Sequence, residues 1–381
     1  MNFELNEEQR MIQNAAREFA EKEIKPVAKE YDEKGEYPFE IFKKAAKLGF
    51  VGIDMPEEYG GGGMGFLSST LVSIEFTRAD SNVGGAVLTS TLGCPMLKYF
   101  GSEEQKEKYL RAVMDGKTTS GVAITEPDAG SDVAAIRTMA KKVKDGWIVN
   151  GTKTFITNGS ISDWIVLLAK TNPEAGYKGI SAFVVETHWD GYEARRIKKM
   201  GLNCHDTCEL FLKDLFIPEK NLVGEENKGF YQLMRFFNES RVGVAAIQLG
   251  IAIGAYEMAL DYAKQRKAFG KPLIEHQAIQ FKLADMWTEI EAAKLLVYKA
   301  AWLVDKGKPD PALSSAAKLF ASEAAIKVTY EAVQIFGGYG FSKEYDIERY
   351  YRDARAGTIY EGTSEIQRLI IARTLAGKIH F

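Results

Sequence analysis

The chain has 381 residues, 46% hydrophobic and 27% charged, with a formal net charge of -3. That is enough for two or three domains of an ordinary soluble protein, and it leaves no basic footprint for nucleic acid. Three cysteines, Cys94, Cys204 and Cys208, cannot build a disulfide framework and point to a reducing, cytoplasmic compartment.

The opening Met-Asn-Phe-Glu-Leu-Asn-Glu-Glu has no basic n-region and no apolar h-region, so no secretory signal is expected. From about residue 6 to 116 the pattern reads as helices. Between residues 7 and 33, Met11, Ile12, Ala15, Phe19 and Ile24 make one apolar stripe among Lys and Glu. The stretch Tyr59-Gly60-Gly61-Gly62-Gly63-Met64-Gly65 lacks both a preceding buried strand and a closing Gly-Lys-Ser/Thr. It is read as a flexible connection rather than a phosphate loop. Residues 81–99, with Lys98 the only charge, suit one buried helix whose polar members Asn82, Thr89, Ser90 and Thr91 pair in the core or line a cavity.

Near Thr118 the pattern changes. Residues 119–125 are strand-like, Asp145-Gly146 and Asn150-Gly151 are hairpin dipeptides, and short apolar runs follow at 164–169, 180–185 and 208–212. This predicts a small antiparallel β-barrel or sandwich ending near Gly224. Long helices then return at 229–265, 276–306, 311–336 and 364–376, with lengths and short connections that suit an antiparallel four-helix bundle. Residues 242–260 are apolar enough to cross a bilayer, but Gln248, Glu257 and many small residues favour a buried helix. In the last helix Ile366, Leu369, Ile370 and Leu375 share a face, and Ser364 and Gln367 have capping-box spacing. The expected layout is α+β in three parts: an α-helical domain at 1–118, a β domain at 119–226 and an α-helical bundle at 227–381.

Candidate chemistry is sparse. Cys204-His205-Asp206-Thr207-Cys208 invites a metal reading but falls short of four ligands, and His188, His276 and His380 show no ligand spacing. There is no Gly-x-Ser-x-Gly elbow, and no Gly-x-Gly-x-x-Gly loop between a strand and a helix. Three polar loops remain. Thr125-Glu126-Pro127-Asp128-Ala129-Gly130-Ser131-Asp132 closes a strand, and Phe155 and Thr157 fall two apart, on one side of a strand. Arg266-Lys267-Ala268-Phe269-Gly270 ends a helix with cations. A fourth segment, Ile359-Tyr360-Glu361-Gly362-Thr363-Ser364, sets a carboxylate just outside the last helix, after an aromatic turn and beside a glycine. That suits a base whose proton affinity rises when water is excluded. Taken alone, it reads more readily as a solvated glutamate that complements a helix dipole.

Together these segments are specific. Thr-Glu-Pro-x-Ala-Gly-Ser-Asp, Phe-Ile-Thr-Asn-Gly, Arg-x-x-Phe-Gly with Gln277, Gln334-Ile-Phe-Gly-Gly-Tyr-Gly and Tyr-Glu-Gly-Thr-Ser-Glu occur in that order. In order, spacing and α–β–α layout the chain resembles the acyl-CoA dehydrogenase family, in its short- to medium-chain, butyryl-CoA-dehydrogenase-like form. The resemblance implies FAD and formation of a Cα–Cβ double bond in an acyl-CoA, with Glu361 taking the α-proton and the β-hydride leaving to flavin N5. It implies that the Glu361 backbone N–H supports the thioester oxygen, with Tyr360 and Gly362 flanking the reacting carbons.

By the same resemblance Val122, Ile124, Thr125 and Ser131 touch the flavin ring or the adjacent CoA path. Phe155, Ile156 and Thr157 cover the other flavin face; many relatives carry Trp at Phe155, so an indole N–H is lost here. Arg266, Phe269, Gln277, Gln334, Gly337 and Gly338 would hold pyrophosphate and adenine across a subunit boundary, implying a homotetramer. Thr363 and Glu365 would meet polar cofactor atoms at a helix start. Asn238 and Arg241 match the CoA positions. Isovaleryl- and long-chain-type members carry their base just before that arginine, where this chain has Ser240, which leaves Glu361 as the base. Glutaryl-type members carry an arginine near Gly84, so a dicarboxylate substrate is not expected. Leu88, Thr89, Thr91, Leu92 and Pro95 would shape the pocket for a short, branched or cyclic acyl group. An electron-transferring flavoprotein is the implied partner. The alternatives are an oxygen-reactive acyl-CoA or nitroalkane oxidase, and a non-catalytic flavin- or CoA-binding scaffold.

Overall fold

Polar caps start the helices at both ends of the chain. In the computed structural model, which describes residues 4–377, the first are α1 (Glu7–Phe19), α2 (Ala28–Lys34), α3 (Phe39–Lys47), α4 (Phe66–Ala79), α5 (Ser81–Leu88), α6 (Cys94–Phe100), α7 (Glu103–Gln105) and α8 (Arg111–Met114). Residues 1–3 of the opening segment, and His380, lie outside the described residues. Asn6 and Gln9 make a reciprocal capping box at α1, and the Asp80 carboxylate accepts from the N–H groups of Asn82 and Val83 at α5.

Three expectations change here. The run from 7 to 33 is not one helix: a π-turn over Ala20–Ile24 and a 3-10 turn over Lys25–Val27 interrupt it at Pro26, which has no N–H to donate. Its buried stripe is Ile12, Ala16, Phe19, Ala20, Ile24 and Ala28, leaving Met11 and Ala15 of the expected set exposed. The Gly-rich stretch is not a slack connection, because Gly61, Gly62, Gly63 and Met64 donate to the carbonyls of Pro56, Gly52, Met55 and Ile53. Finally, residues 81–99 form two helices. The break between α5 and α6 frees the Ser90 carbonyl to accept from both the N–H and the hydroxyl of Ser120.

The β unit comprises β1 (Ser120–Ala123), β2 (Met139–Val143), β3 (Gly146–Thr157), β4 (Trp164–Lys170), β5 (Ile180–Glu186), β6 (Tyr192–Arg196) and β7 (Thr207–Pro218). They form one seven-stranded sheet in the order β1-β4-β2-β3-β7-β6, with β5 on β4. Pairing is antiparallel except that β1 and β2 each meet β4 in parallel. Asn150-Gly151 is not a hairpin turn; it lies inside β3 at a bulge against β7, where the register shifts between Val149 and Gly151. Alternation along β4 ties the sheet to the helices. Trp164, Val166 and Leu168 join the N-terminal helical core, while Ile165, Leu167 and Ala169 face the sheet interior with Trp147 and Phe183.

The remaining elements are α9 (Gly229–Gln265), a hairpin of β8 (Lys267–Ala268) and β9 (Lys271–Pro272), α10 (Gln277–Asp305), α11 (Pro311–Phe336), α12 (Ile347–Ala354) and α13 (Ser364–Leu375). The four long helices match the expected bundle, and α12 is an addition. The most apolar window of α9 is 67% buried inside the protein, as a core helix requires. A side chain at Gly250 or Gly254 would lie 2.1 Å from Thr77 Oγ1 or 2.2 Å from the Arg78 carbonyl, so glycine lets α9 press onto α4. The expected Ser364–Gln367 capping box does not form. Thr363 is the cap, accepting from the Ile366 N–H. The buried face of α13 is Ser364 and Gln367, while Leu369 and Leu375 are exposed.

Candidate active site

After α12, a 3-10 turn over Arg355–Thr358 carries the chain to Tyr360-Glu361-Gly362. Glu361 and Gly362 have φ of 54° and 89°, two successive left-handed residues. For glutamate that conformation costs about 1 kcal/mol and must be held by its surroundings. Two side chains hold it. Gln367 Nε2 donates to the carbonyls of Glu361 (3.0 Å) and Gly362 (2.8 Å), and Lys318 Nζ donates to Gly362 at 2.7 Å. Ser240 Oγ donates to Glu361 Oε2 at 2.9 Å, so the residue preceding Arg241 contacts the carboxylate rather than replacing it. Burial pushes the Glu361 carboxyl above the usual carboxylate range, against Ser240, Arg241 and Lys318, which pull it down. Gln248 donates to the Tyr360 hydroxyl at 3.3 Å.

Asn238 and Arg241 lie one turn apart on α9, buried to 8% and 5% exposure. Yet Asn238 Oδ1 and Arg241 Nε have no hydrogen-bond partner among the described residues. Two buried polar atoms left open side by side mark a place for a polar ligand. Burial brings the Arg241 guanidinium down to about 10, opposed by the Glu361 charge. In the stretch from Ser81 to Leu97, the partly exposed residues are Leu88, Thr89, Thr91, Leu92 and Pro95, and their neighbours are buried. The two threonine hydroxyls donate to the Ala86 and Leu88 carbonyls. A Cβ at Gly84 would lie 2.3 Å from the Phe76 carbonyl, so no arginine can stand at that position.

On the β unit, Val122 is buried, Ile124 and Thr125 are partly exposed, and Ser131 is exposed at the turn beyond β1. A pair unnoticed in the sequence fixes this turn. The fully buried Lys153 donates to the Ile124 carbonyl (2.9 Å) and Glu126 Oε1 (2.8 Å), and Glu126 also accepts from the N–H groups of Arg137 and Thr138. Burial lowers Lys153 to about 8, with Glu126 holding it up. Phe155 has φ 57° at a second bulge and is 65% exposed. That bulge breaks the period of two on which the shared side of Phe155 and Thr157 rested. Ile156 is packed in the sheet core and offers the outer face only its backbone.

Arg266, Gly337 and Gly338 line one open cavity of about 580 Å³ with Tyr262, Phe336 and Tyr339. The Arg266 guanidinium lies 5.5 Å over the Tyr339 ring. Phe269 (98% exposed), Gln277 and Gln334 stand on the surface around it. Among the described residues no hydrogen bond, ion pair or ring contact joins this set to the loops of β1 and β3. Thr363 caps α13 and Glu365 is exposed in its first turn. No cluster of three or more metal-type ligands exists among the described residues. His205 instead shares a hydrogen bond with the Asn82 carbonyl, and burial lowers it to about 3.

Family models of the acyl-CoA dehydrogenase N-terminal, middle and C-terminal domains match residues 6–117, 121–215 and 227–376. The chain belongs to the acyl-CoA dehydrogenase family. It is 47% identical to the 3-(aryl)acrylate reductase of Clostridium sporogenes over 97% of this chain and 98% of that protein. It is 44% identical to a subunit of the caffeyl-CoA reductase–Etf complex of Acetobacterium woodii over 98% and 99%. Among solved structures, butyryl-CoA dehydrogenase of Megasphaera elsdenii superimposes with a TM-score of 0.95 at 41% identity, covering 99% of this chain and all of that one. Acyl-CoA dehydrogenases are FAD-dependent oxidoreductases acting on CH–CH bonds, and this chain is such an enzyme. Its residues fit the cofactor. An exposed aromatic at a strained bulge suits a flat ring, and an open cavity with a guanidinium stacked on Tyr339 and two glycines suits a dinucleotide phosphate. The residues missed in the sequence were Lys318, Gln367 in its carbonyl-clamping role, Gln248 and Lys153. A charge in the small-residue run Ser314-Ser315-Ala316-Ala317-Lys318 was the one available signal.

Proposed function

We propose that Glu361 removes the α-proton of a short, branched or cyclic acyl-CoA thioester. The observation that carries this reading is a carboxyl held in a left-handed turn, with its proton affinity raised by burial, beside two open polar groups on α9. Asn238 and Arg241 bind the polar part of CoA. Leu88, Thr89, Thr91, Leu92 and Pro95 enclose the acyl chain, and Tyr360 and Gly362 flank the reacting carbons. The thioester oxygen gains charge as the proton leaves, and the Glu361 backbone N–H is the donor assigned to it. FAD, when bound, supplies the acceptor for the β-hydride. The turn residues Val122, Ile124, Thr125 and Ser131, with Phe155, the Ile156 backbone and Thr157, hold its ring. Arg266, Phe269, Gln277, Gln334, Gly337 and Gly338 of a neighbouring subunit hold its far end, with Thr363 and Glu365 at the helix start. The enzyme acts as a homotetramer and exchanges electrons with an electron-transferring flavoprotein, the partner class in the name of the Acetobacterium relative. Three free, buried cysteines favour a cytoplasmic setting. Domain limits at 118/119 and 226/227 accord with the matched segments.

Anaerobic mixing with a panel of acyl-CoAs tests this, because a substrate bleaches the flavin. Glu361→Gln is expected to stop bleaching while FAD and acyl-CoA still bind; near-normal bleaching would remove Glu361 as the base. A second reading, favoured by two relatives named as reductases, runs the same residues in reverse, with Glu361 returning a proton to Cα. Re-oxidation of reduced enzyme by an aryl-enoyl-CoA decides for it. Peroxide release in air would instead identify an oxidase.

A further inference from the structure

Lys318 stands two turns into α11 with its side chain fully buried, where an ammonium is costly to keep. Among the described residues, its one side-chain hydrogen bond runs to the carbonyl of Gly362, the residue after the proposed base. We propose that Lys318 is a positioning residue for Glu361, clamping the left-handed turn through the Gly362 carbonyl and biasing the carboxyl with its charge. This inference rests on the reading of Glu361 as the base.

The geometry gives Lys318 two separable effects. Together with Gln367 it turns the carbonyls of residues 361 and 362 toward α11 and α13, which fixes where the Glu361 carboxyl and N–H can point. Gln367 alone can supply hydrogen bonds but no charge. The charged groups facing Lys318 are Glu361, Arg241, Glu365 and Glu323: the glutamates favour its ammonium, Arg241 opposes it, and burial lowers it to about 8. Around Glu361 the facing groups are Ser240, Arg241 and Lys318, all of which favour the ionised carboxylate. Removing the lysine therefore raises the proton affinity of the base and loosens its aim. A purely structural lysine would change neither.

The test is exchange of the α-hydrogen of a saturated acyl-CoA in D2O, read by mass spectrometry on the FAD-loaded enzyme across pH, with acyl-CoA affinity measured in parallel. Lys318→Met is expected to lose roughly tenfold in plateau exchange, the scale of a sub-ångström misplacement. Its acidic limb should move up, because a charge that favours the ionised carboxylate is gone, with affinity little changed. Gln367→Met should lose plateau rate without moving the limb. Lys318→Arg should keep the wild-type limb. If Lys318→Met does not fold, Lys318→Gln keeps a donor and drops the charge, and its limb should still rise. Wild-type plateau and limb in the charge-removing variant overturn the proposal. Glu361→Gln is the separate control: exchange at the wild-type rate there would refute the base itself, whatever Lys318 does.

Discussion

Glu361 is held by more than its own backbone preference. Its carboxylate takes a hydrogen bond from Ser240, a residue recognised in the sequence only for not being a second base. Ser240→Ala removes a donor to the ionised form, so the carboxyl rises further. At about 1 kcal/mol, the acidic limb of kcat/KM should move up by about 0.7 of a pH unit. An unmoved limb, with CoA affinity intact, would mean the hydroxyl does not bear on the base. The carboxylate proposed as the base was legible from a motif, but its clamp was not. Lys318 and Gln367 lie 43 residues upstream and 6 downstream of Glu361, and hydrogen-bond distance between them is a product of folding.

The elements show the same division. The long helices of the C-terminal half and the main strands were readable because each carries its own periodicity or turn residues. The short α12 was missed, having as many charged residues as apolar ones, and it is what delivers the Glu361 turn. Arg349 pairs with Asp80 at 2.8 Å and Arg352 with Asp32 at 2.9 Å. Asp353 accepts from Ser81 Oγ (2.7 Å) and the Leu202 N–H (2.5 Å), which fastens α12 to α5 and to the loop before β7. Burial drives Asp353 from 3.8 up to about 7. The folded protein thus holds a proton that the unfolded chain releases, so stability falls as pH rises from about 4 to about 7 and is level above that. Asp353→Asn keeps an acceptor and a donor in place and should flatten that slope, measured as denaturation midpoints at about pH 5 and about pH 8. An unchanged slope would clear Asp353 of the effect.

At the scale of the whole molecule, the surface speaks for assembly. Phe269 and Phe341 are 98% and 92% exposed, and Leu375 is 78% exposed, apolar side chains that an assembly would cover. Among the described residues, no hydrogen bond, ion pair or ring contact joins the proposed dinucleotide set around Arg266 to the proposed ring set on β1 and β3 of the same chain. Diluting the holoenzyme until it dissociates should therefore release FAD, followed by flavin fluorescence and sedimentation together. Phe269→Ala should lower the flavin-to-protein ratio after gel filtration. A monomer that keeps its full flavin would end the shared-site reading.

The amino-acid sequence alone determined the order of helical, β and helical parts and the family, and it singled out the carboxylate proposed as the base, because periodicity, turn residues and motifs are local properties. Tertiary structure alone decided that β3 is bulged rather than broken, that residues 81–99 part to admit Ser120, and that a buried lysine grips the active turn. Those facts depend on which distant backbone groups lack a partner, and the chain settles that only by closing on itself.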